Sequence, residues 1–407
     1  MKPPKSLHLT SFYHAQSGGI GALYRALIAH ANRCEREMRL VVPGEQSGCE
    51  AMGSALVYSV QSPRSPWIDD RYRVLLPIGR PGREIAQILR LEQPDILEVA
   101  DKYSLPYISG MVRKGIIGGV KRPTEFATSH ERLDDNIAAH LGGGALGTLF
   151  AKWYMRYIYF GQFDHHLANS EYTAAELIPA SRGHTTRRGI WVCPMGVDTQ
   201  LFSPGPASTH AGRQLLYAGR IAPEKNVGLL VQALERLDSE YKLDLVGDGP
   251  MREWLLRESA RRTPGRVQCH GHIGDRAEYA ARLRRADAFV HPNPREPFGI
   301  GPLEAMACGI PVLVPRSGGV LSYAREDNAW LYEPTPEGLA SAVRSVFADP
   351  DQRSAKIAQA RQTAEEHEWS AIARQFFDLL DTLHHRGWHI DVPPLGAALD
   401  AWLMVRT

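Results

Sequence analysis

The feature of this sequence that most restricts its fold is an alternation of short apolar runs with longer helical patterns, which occurs twice. In the first half, runs rich in β-branched residues are predicted as buried strands at Leu7–Phe12, Met38–Val42, Asp95–Val99, Glu125–Ser129 and Ile190–Cys193. In the second half, the predicted strands are Gln214–Ala218, Lys242–Val246, Arg266–His270, Ala288–His291 and Pro311–Val314. Such alternation predicts parallel sheets covered by helices on both faces, so we expect an α/β protein with two doubly wound domains.

A segment dense in Pro, Gly, Ser and Thr, Ser203–Gly212, separates the two series of strands as a linker would. We therefore predict a first Rossmann-like domain at residues 1–205 and a second at 206–368. Residues 369–407 form a third segment, which begins with the amphipathic run Trp369–Leu383.

Composition excludes several classes of protein. The 407 residues include 47 Lys and Arg against 45 Asp and Glu, so no global field favours nucleic acid, and we predict no nucleic-acid partner. The five cysteines are too few and scattered for a disulfide framework. No apolar run approaches the ~18 residues of a transmembrane helix, and no signal-peptide pattern begins the chain. We expect a cytoplasmic protein.

A glycine-rich loop follows the first predicted strand. The run His14–Gly21 includes Gly18 and Gly19 and leads into an amphipathic helix. Glycine lets backbone N–H groups approach an anion, and a helix N-terminus adds partial positive charge. A phosphate-binding loop and an ordinary tight turn are both compatible with this pattern.

A second loop, after the first strand of the second half, contains two cations. Arg220 can donate two parallel hydrogen bonds to phosphate oxygens, and Lys225 adds a point charge. Because the loop lies between a strand and a helix, we predict that it binds a diphosphate.

The densest signal is the run Pro294–Ala307, which follows the strand ending at His291. Its two glutamates, Glu296 and Glu304, are eight positions apart. Eight helical residues span ~12 Å, whereas the two carboxylates of a glycosidase lie ~5–9.5 Å apart. Two separate hydroxyl-binding roles therefore fit this pair better than one acid–base dyad.

With these motifs, the chain resembles the retaining glycosyltransferases of family GT4, which have the GT-B fold of two Rossmann-like domains facing across a cleft. The motifs that carry the resemblance occur in the family's usual order and are Gly18–Gly21, Pro194–Asp198, Gly219-Arg220 with Lys225, Val246–Pro250, Glu296 to Glu304, and Ser317–Gly319. The run Trp369–Leu383 resembles the C-terminal helix that crosses back to the first domain in GT-B proteins. The run His291–Pro294 stands where the family more often has Pro-Ser followed by variable residues. His291 is therefore either a specificity residue or the end of a strand, and we favour the strand end.

The resemblance implies a donor site for a nucleotide-diphosphate sugar. Arg220 and Lys225 would bind the diphosphate, Glu296 the hydroxyls of the transferred hexose, and Glu304 the ribose. The other implied donor-binding positions are Gly18, Gly19, Gly271, Ile273, Phe298, Gly299, Ile300 and Gly301, of which Gly271 and Ile273 would flank the base.

The resemblance also implies catalytic residues and a mechanism. His130, after a predicted strand, resembles the histidine that approaches the donor sugar near its C6 hydroxyl, and it joins Glu296, Arg220 and Lys225 as a predicted catalytic residue. No enzymic nucleophile is evident, so front-face substitution is implied, with the leaving phosphate helping to deprotonate the acceptor. We predict no metal and no cofactor.

One apolar and aromatic stretch, Ala145–Phe163, has only Lys152 and Arg156 as charged residues. A core helix of the first domain and a peripheral membrane contact at the inner face of the membrane are both compatible with it. A basic cluster nearby would favour anionic lipid and consists of Arg182, His184, Arg187 and Arg188.

The leading interpretation is a retaining hexosyltransferase that acts on a glycan or lipid-linked acceptor in cell-envelope or exopolysaccharide synthesis. Mannose from GDP-mannose is favoured as the donor sugar over glucose or another hexose from a UDP-sugar. The alternatives are a nucleotide-sugar epimerase of GT-B fold and a non-catalytic protein that binds a sugar nucleotide.

Overall fold

A computed structural model describes residues 2–13, 18–64, 73–140, 145–182, 189–205 and 213–386. The predicted tail 387–407, the linker residues 206–212 and the basic residues His184, Arg187 and Arg188 lie outside these ranges. Contacts divide the chain into two units, with breaks between Pro194 and Met195 and between Trp369 and Ser370.

The first unit has a doubly wound sheet that, within the described ranges, contains eight strands in the order β3-β4-β2-β1-β5-β6-β7-β8. All neighbours pair in parallel except β3 with β4. The strands are β1 (Ser6–Leu9), β2 (Met38–Gly44), β3 (Gly48–Met52), β4 (Ala55–Gln61), β5 (Ile96–Val99), β6 (Thr124–Ser129), β7 (His165–Ala168) and β8 (Gly189–Val192). The helices are α1 (Gly19–Arg33), α2 (Gly79–Glu92), α3 (Pro106–Arg113), α4 (Leu133–His140), α5 (Ala145–Tyr154) and α6 (Glu171–Ser181).

The second unit has a wholly parallel sheet, with six strands among the residues described, in the order β11-β10-β9-β12-β13-β14. The strands are β9 (Arg213–Ala218), β10 (Tyr241–Val246), β11 (Val267–Cys269), β12 (Ala288–Val290), β13 (Val312–Pro315) and β14 (Trp330–Tyr332). The helices are α7 (Gly228–Leu234), α8 (Arg252–Arg262), α9 (Arg276–Arg285), α10 (Ile300–Ala307), α11 (Pro336–Ala348) and α12 (Pro350–Glu366). Because these strands are parallel, the loops that follow β9, β10, β11 and β12 lie at one edge of the sheet.

The domain boundary differs from the predicted break between residues 205 and 206. Residues 195–205 belong to the second unit, where the Phe202 side chain is fully buried. Arg284 also donates from Nε to the Ser203 carbonyl oxygen at 2.8 Å and from Nη2 to the Leu201 carbonyl oxygen at 2.6 Å. The Pro- and Gly-rich segment that was predicted as a linker therefore begins with residues that already pack against the second unit.

The last described helix, α13 (Trp369–Arg386), belongs to the first unit from Ser370 onward. Arg36 donates two hydrogen bonds of 2.7 and 2.6 Å to the Asp381 carboxylate. The Arg36 guanidinium also lies 4.3 Å from the centre of the Phe377 ring. This ion pair and the buried aromatic face hold α13 on the first unit.

The stretch predicted as one helix at Ala145–Phe163 is helical but changes form along its length. Helix α5 is followed by a π-helical turn at Met155–Tyr159 and a 3-10 turn at Phe160–Gln162. No described helix is long and apolar enough to cross a membrane.

Candidate active site

The centre of the candidate site is an ion pair between Lys225 and Glu296 in the second unit. Lys225 ends a 3-10 turn, Pro223–Lys225, in the loop after β9, and Glu296 lies in the loop between β12 and α10. The Lys225 Nζ atom lies 2.8 Å from Oε2 and 3.1 Å from Oε1 of Glu296. The structure therefore brings together two residues that were predicted as catalytic from separate motifs.

The backbone around this pair is held by contacts between loops. Asn226, at a φ of +53°, donates from Nδ2 to the Pro292 carbonyl oxygen at 3.2 Å and so ties the two loops together. Gly318 has a φ of +88°, and a Cβ there would lie 3.2 Å from the backbone N and O atoms of Glu296. The Gly319 N–H donates to the Glu296 carbonyl oxygen at 2.6 Å. Glu296 thus sits on a fixed backbone.

Glu296 is ionised. Its side chain is 12% exposed, and this burial raises its pKa, but the charge of Lys225, with His291 and the hydrogen bonds from Lys225 and Asn293, lowers the pKa to about 2. The Asn293 amide donates from Nδ2 to Glu296 Oε2 at 2.9 Å. The carboxylate can therefore accept hydrogen bonds from sugar hydroxyl groups across the physiological pH range.

Arg220 is the second cation of this loop. Its side chain is 39% exposed, and Nη1 lies 3.6 Å from Oε1 of Glu224. The Tyr217 hydroxyl donates to the Arg220 carbonyl oxygen at 2.8 Å and fixes the backbone there. An exposed ion pair of this kind is weak, so the guanidinium can exchange Glu224 for a phosphate at little cost.

Helix α10 begins at Ile300. Its N-cap is Gly299, at a φ of +86°, where a side chain would lie 2.9 Å from Val320 Cγ1. A glycine N-cap offers no side-chain acceptor to the first N–H groups of the helix, including that of Gly301. Phe298 is buried, with its ring centre 5.1 Å from that of Tyr323. The turn thus presents backbone donors at a helix N-terminus.

Glu304, in the first turns of α10, is almost fully buried and paired. Arg276, the first residue of α9, donates from Nη2 to Glu304 Oε1 at 2.8 Å. Burial raises the pKa of Glu304, while Arg276 and a hydrogen bond from Tyr279 lower it, and the net shift is upward. Arg276 and Tyr279 were not singled out from sequence, because Arg276 and Glu304 lie on different helices and no motif connects them.

The predicted base-flanking residues, Gly271 and Ile273, follow β11. Gly271 has a φ of +70°, and a Cβ there would meet no described atom within 4 Å. Its carbonyl oxygen accepts from the Gly247 N–H at 2.7 Å, next to the loop after β10. This part of the sheet edge has open space beside the backbone, and its predicted contact with a base stays a prediction.

The remaining predicted residues lie in the first unit. His130 follows β6, and neither ring nitrogen has a hydrogen-bond partner among the described residues. Burial lowers its pKa to about 4, so the ring is neutral near pH 7. Gly18 precedes α1, which begins at Gly19, whereas residues 14–17 of the same loop lie outside the described ranges.

Two residues beside Glu296 were not predicted as functional: Asn293 and His291. Both are almost fully buried. His291 directly follows β12, as its interpretation as a strand end predicts, but its Nε2 atom lies 3.5 Å from Glu296 Oε2. The proximity of both to Glu296 along the chain was the available signal. In the described part of the chain, no group of three or more His, Cys, Asp or Glu side chains could hold a metal ion.

Comparison with known proteins includes the region of the candidate site. Residues 202–363, which include Arg220, Lys225, Glu296 and Glu304, match the model of the family "Glycosyl transferases group 1". The predicted resemblance to the group 1 glycosyltransferases, GT4, is thus confirmed, and the matched region contains the predicted site motifs of the second half.

Curated relatives cover nearly the whole glycosyltransferase. It is 26% identical over 388 residues to the GDP-mannose-dependent alpha-(1-6)-phosphatidylinositol dimannoside mannosyltransferase of Mycobacterium tuberculosis, covering 93% of this chain and 96% of the relative. It is 27% identical over 380 residues to the GDP-mannose-dependent alpha-mannosyltransferase of Corynebacterium glutamicum, covering 90% and 85%.

Solved structures establish the fold of the glycosyltransferase. Sucrose-phosphate synthase from Thermosynechococcus elongatus superposes with a TM-score of 0.74 at 20% identity, covering 94% of this chain and 100% of that one. The predicted α/β GT-B fold is confirmed.

Proposed function

We propose that this glycosyltransferase is a retaining, metal-independent hexosyltransferase that moves mannose from GDP-mannose to a hydroxyl group of a glycan or lipid-linked acceptor. The observation that carries the proposal is the Lys225–Glu296 ion pair at the carboxyl edge of the second sheet, inside the region that matches the family. A hexose from a UDP-sugar is the second candidate donor.

Three features of the second unit support binding of a sugar diphosphate. Lys225 and Arg220 are two cations on one loop. The uncapped N–H groups at the start of α10 are further hydrogen-bond donors, and they lie at the same edge of the sheet. Negative charge develops on the leaving diphosphate as the glycosidic bond breaks, and preorganised cations and N–H groups stabilise that charge. Charge neutralisation by these groups is why we propose a reaction without a metal.

The two glutamates suit two different sets of hydroxyl groups. Ionised Glu296 can accept hydrogen bonds from the hexose, and Glu304, held by Arg276, can accept from the ribose. Neither is proposed as a nucleophile. In the proposed front-face reaction, the bond from the anomeric carbon to the phosphate oxygen breaks and the acceptor oxygen bonds to the same face. The acceptor proton passes to the leaving phosphate.

The choice of donor is supported by the relatives, because both curated proteins compared above are named as GDP-mannose-dependent. A donor panel tests it: purified full-length protein is incubated with GDP-mannose, UDP-glucose or UDP-galactose and a mannosylated inositol phospholipid, and released nucleotide is measured. Faster release from GDP-mannose in the presence of the lipid is expected. Conversion of the sugar without any acceptor would favour the epimerase instead, and binding without turnover would favour a non-catalytic protein.

The first unit has an exposed aromatic face that supports peripheral contact with the inner face of a membrane. Five apolar side chains at helical spacing are between 48% and 84% exposed, and they are Leu146, Leu149, Phe150, Trp153 and Tyr157. Lys152 is exposed on α5, and the Arg156 guanidinium lies 5.3 Å from the centre of the Tyr157 ring. Between residues 145 and 163 the sequence has no acidic residue. Aromatic side chains with flanking cations suit an anionic lipid surface.

Vesicle flotation tests this membrane contact. Trp153→Glu should abolish flotation with vesicles that contain anionic phospholipid, because it places a carboxylate within the apolar face. Trp254→Glu is the matched control, since Trp254 is a 39% exposed tryptophan on α8 of the second unit. Equal flotation of the two variants, or no flotation of the wild type, would contradict the proposal.

A further inference from the structure

His291 is a buried titratable side chain beside Glu296 to which the proposed mechanism gives no role. Its residue is 5% exposed, and Nε2 has no hydrogen-bond partner among the described residues. The nearest carboxylate oxygen is Glu296 Oε2, 3.5 Å away, which is beyond a good hydrogen bond. An unpartnered nitrogen in this position is costly, so its retention beside a site carboxylate calls for an explanation.

The His291 backbone is fixed, so the imidazole can move only by side-chain rotation. The His291 N–H donates to the Leu313 carbonyl oxygen at 2.9 Å. The Tyr332 hydroxyl donates to the His291 carbonyl oxygen at 2.7 Å. A small rotation about the side-chain bonds is enough to shorten a 3.5 Å separation to a hydrogen bond of about 2.9 Å.

The imidazole is neutral near pH 7. Burial, opposed by the charge of Glu296 and aided by the Lys225 ammonium, lowers the pKa of His291 to about 4. A neutral imidazole with its proton on Nε2 can donate to Glu296 Oε2 without bringing a further full charge into the site.

Lys225 faces two competing partners when a donor binds. In the structure its ammonium contacts both oxygens of Glu296. Under the proposed function it must also donate to a diphosphate, which carries more negative charge than one carboxylate. As Lys225 turns toward the diphosphate, Glu296 loses its main partner, although Asn293 still donates to Oε2. A buried carboxylate that loses a partner needs a replacement donor to stay in place.

We propose that His291 is a positioning residue that donates from Nε2 to Glu296 when the donor diphosphate draws Lys225 away, and so holds the carboxylate toward the transferred hexose. This inference rests on the proposed function. It adds a specific residue and an exchange of partners at the same site.

Two substitutions of similar polarity separate this role from simple filling of space. In His291→Gln, the side-chain amide can reach the position of Nε2, whereas in His291→Asn the shorter amide reaches only the position of Nδ1. His165→Gln is the control for loss of a buried imidazole, because His165 is 4% exposed on β7 of the first unit and has no proposed role in the reaction.

The measurements are steady-state release of GDP from GDP-mannose with a mannosylated inositol phospholipid as the acceptor, with UDP-glucose as a second arm, and the Kd of GDP. His291→Asn should lower kcat by about ten-fold or more, because Glu296 is no longer held toward the hexose once the diphosphate has drawn Lys225 away. His291→Gln should keep kcat within about three-fold of the wild type, and His165→Gln should leave it unchanged. His291→Gln and His165→Gln should bind GDP within about two-fold of the wild type, whereas His291→Asn should bind it more weakly, because the diphosphate of GDP also draws Lys225 away from Glu296.

Equal loss in His291→Asn and His291→Gln would show a packing role and overturn the inference, as would wild-type kcat in His291→Asn. If the wild type releases nucleotide but the histidine variants match it, the proposed function stands and only the inference fails. If the wild type binds neither GDP-mannose nor UDP-glucose, the proposed function fails and the inference fails with it.

Discussion

The Nζ atom of Lys225 lies 2.8 and 3.1 Å from the two carboxylate oxygens of Glu296, and this pair links the loop after β9 with the loop after β12. Each residue therefore holds the other in the absence of a ligand. A nucleotide-diphosphate sugar would offer Lys225 a phosphate and Glu296 a set of hydroxyl groups, so one ligand satisfies both residues at once. Substitutions at either residue should affect binding and turnover together.

Lys225→Ala should lower kcat by about 10²–10³-fold, because one preorganised cation that faces the leaving group is lost. It should also destabilise the second unit by about 1–3 kcal/mol, since Glu296 keeps its charge with one fewer partner. Steady-state kinetics and urea unfolding measure the two effects. Lys242→Ala, which removes an exposed lysine on β10, is the control. An equal effect of both substitutions would contradict a role for Lys225 in the site.

Arg276→Ala should weaken binding of GDP, because buried Glu304 loses the guanidinium 2.8 Å from Oε1 and its pKa rises further. We expect a loss of about ten-fold in affinity, and less in Arg276→Lys, which retains the charge but not the guanidinium geometry. Titration calorimetry with GDP and 2′-deoxy-GDP measures this. If Glu304 binds the ribose, Glu304→Gln should reduce the preference for GDP over 2′-deoxy-GDP. An unchanged preference would contradict that role.

Gly247→Ala and Gly271→Ala form a matched pair for the sheet edge. Both glycines have positive φ angles, +140° and +70°, but a Cβ at Gly247 would lie 1.9 Å from the Gly219 carbonyl oxygen, whereas one at Gly271 meets no described atom within 4 Å. Gly271→Ala should cost about 1–2 kcal/mol from backbone strain alone. Gly247→Ala should cost clearly more. Urea unfolding of both variants measures this, and equal costs would contradict the close approach of the two loops.

Glu125, fully buried at the start of β6, gives a prediction for pH. Burial raises its pKa to about 7, with the nearby Asp164 adding to the effect and Arg113 opposing it. In the unfolded chain the group ionises near its ordinary pKa of about 4.3. Between these values the unfolded state binds fewer protons than the folded state, so the free energy of unfolding falls as pH rises from about 4.5 to about 7.

Glu125→Gln should remove this contribution, so the difference in unfolding free energy between wild type and variant should vary over that pH range and level off outside it. Urea unfolding at several pH values between 4 and 8 provides the measurement. A difference that does not depend on pH would contradict the raised pKa of Glu125.

The fold class was predictable because buried parallel strands are runs of apolar residues, and the predicted strands overlap ten observed ones, within the described residues, by three residues or more. Strands β3, β4, β7 and β14 were not predicted, although β4 has the apolar pattern of a strand. All five residues of β3 are exposed, because it is an antiparallel edge strand. Strand β7 is buried throughout but begins with His165 and His166, which interrupt an apolar pattern. Strand β14 has three residues.

The site was predictable where its residues fall in one short motif, as Glu296 and Glu304 do. It was not predictable where side chains from distant segments meet. The Arg276–Glu304 pair joins residues on α9 and α10, and the position of His291 relative to Glu296 depends on how the chain folds between them. Residue type alone does not show which oxygen atom of a carboxylate a neighbour will contact.

The most direct test of the proposed reaction is the anomeric configuration of its first product. The full-length protein is incubated with GDP-mannose, in which the mannose is α-linked, and a mannosylated inositol phospholipid, and one-bond carbon–proton couplings at the new anomeric centre are measured by NMR. A retaining transferase gives an α-mannoside, and Glu296→Gln should form it much more slowly. A β-linked product would contradict the front-face reaction, and unchanged turnover in Glu296→Gln would contradict the role of Glu296.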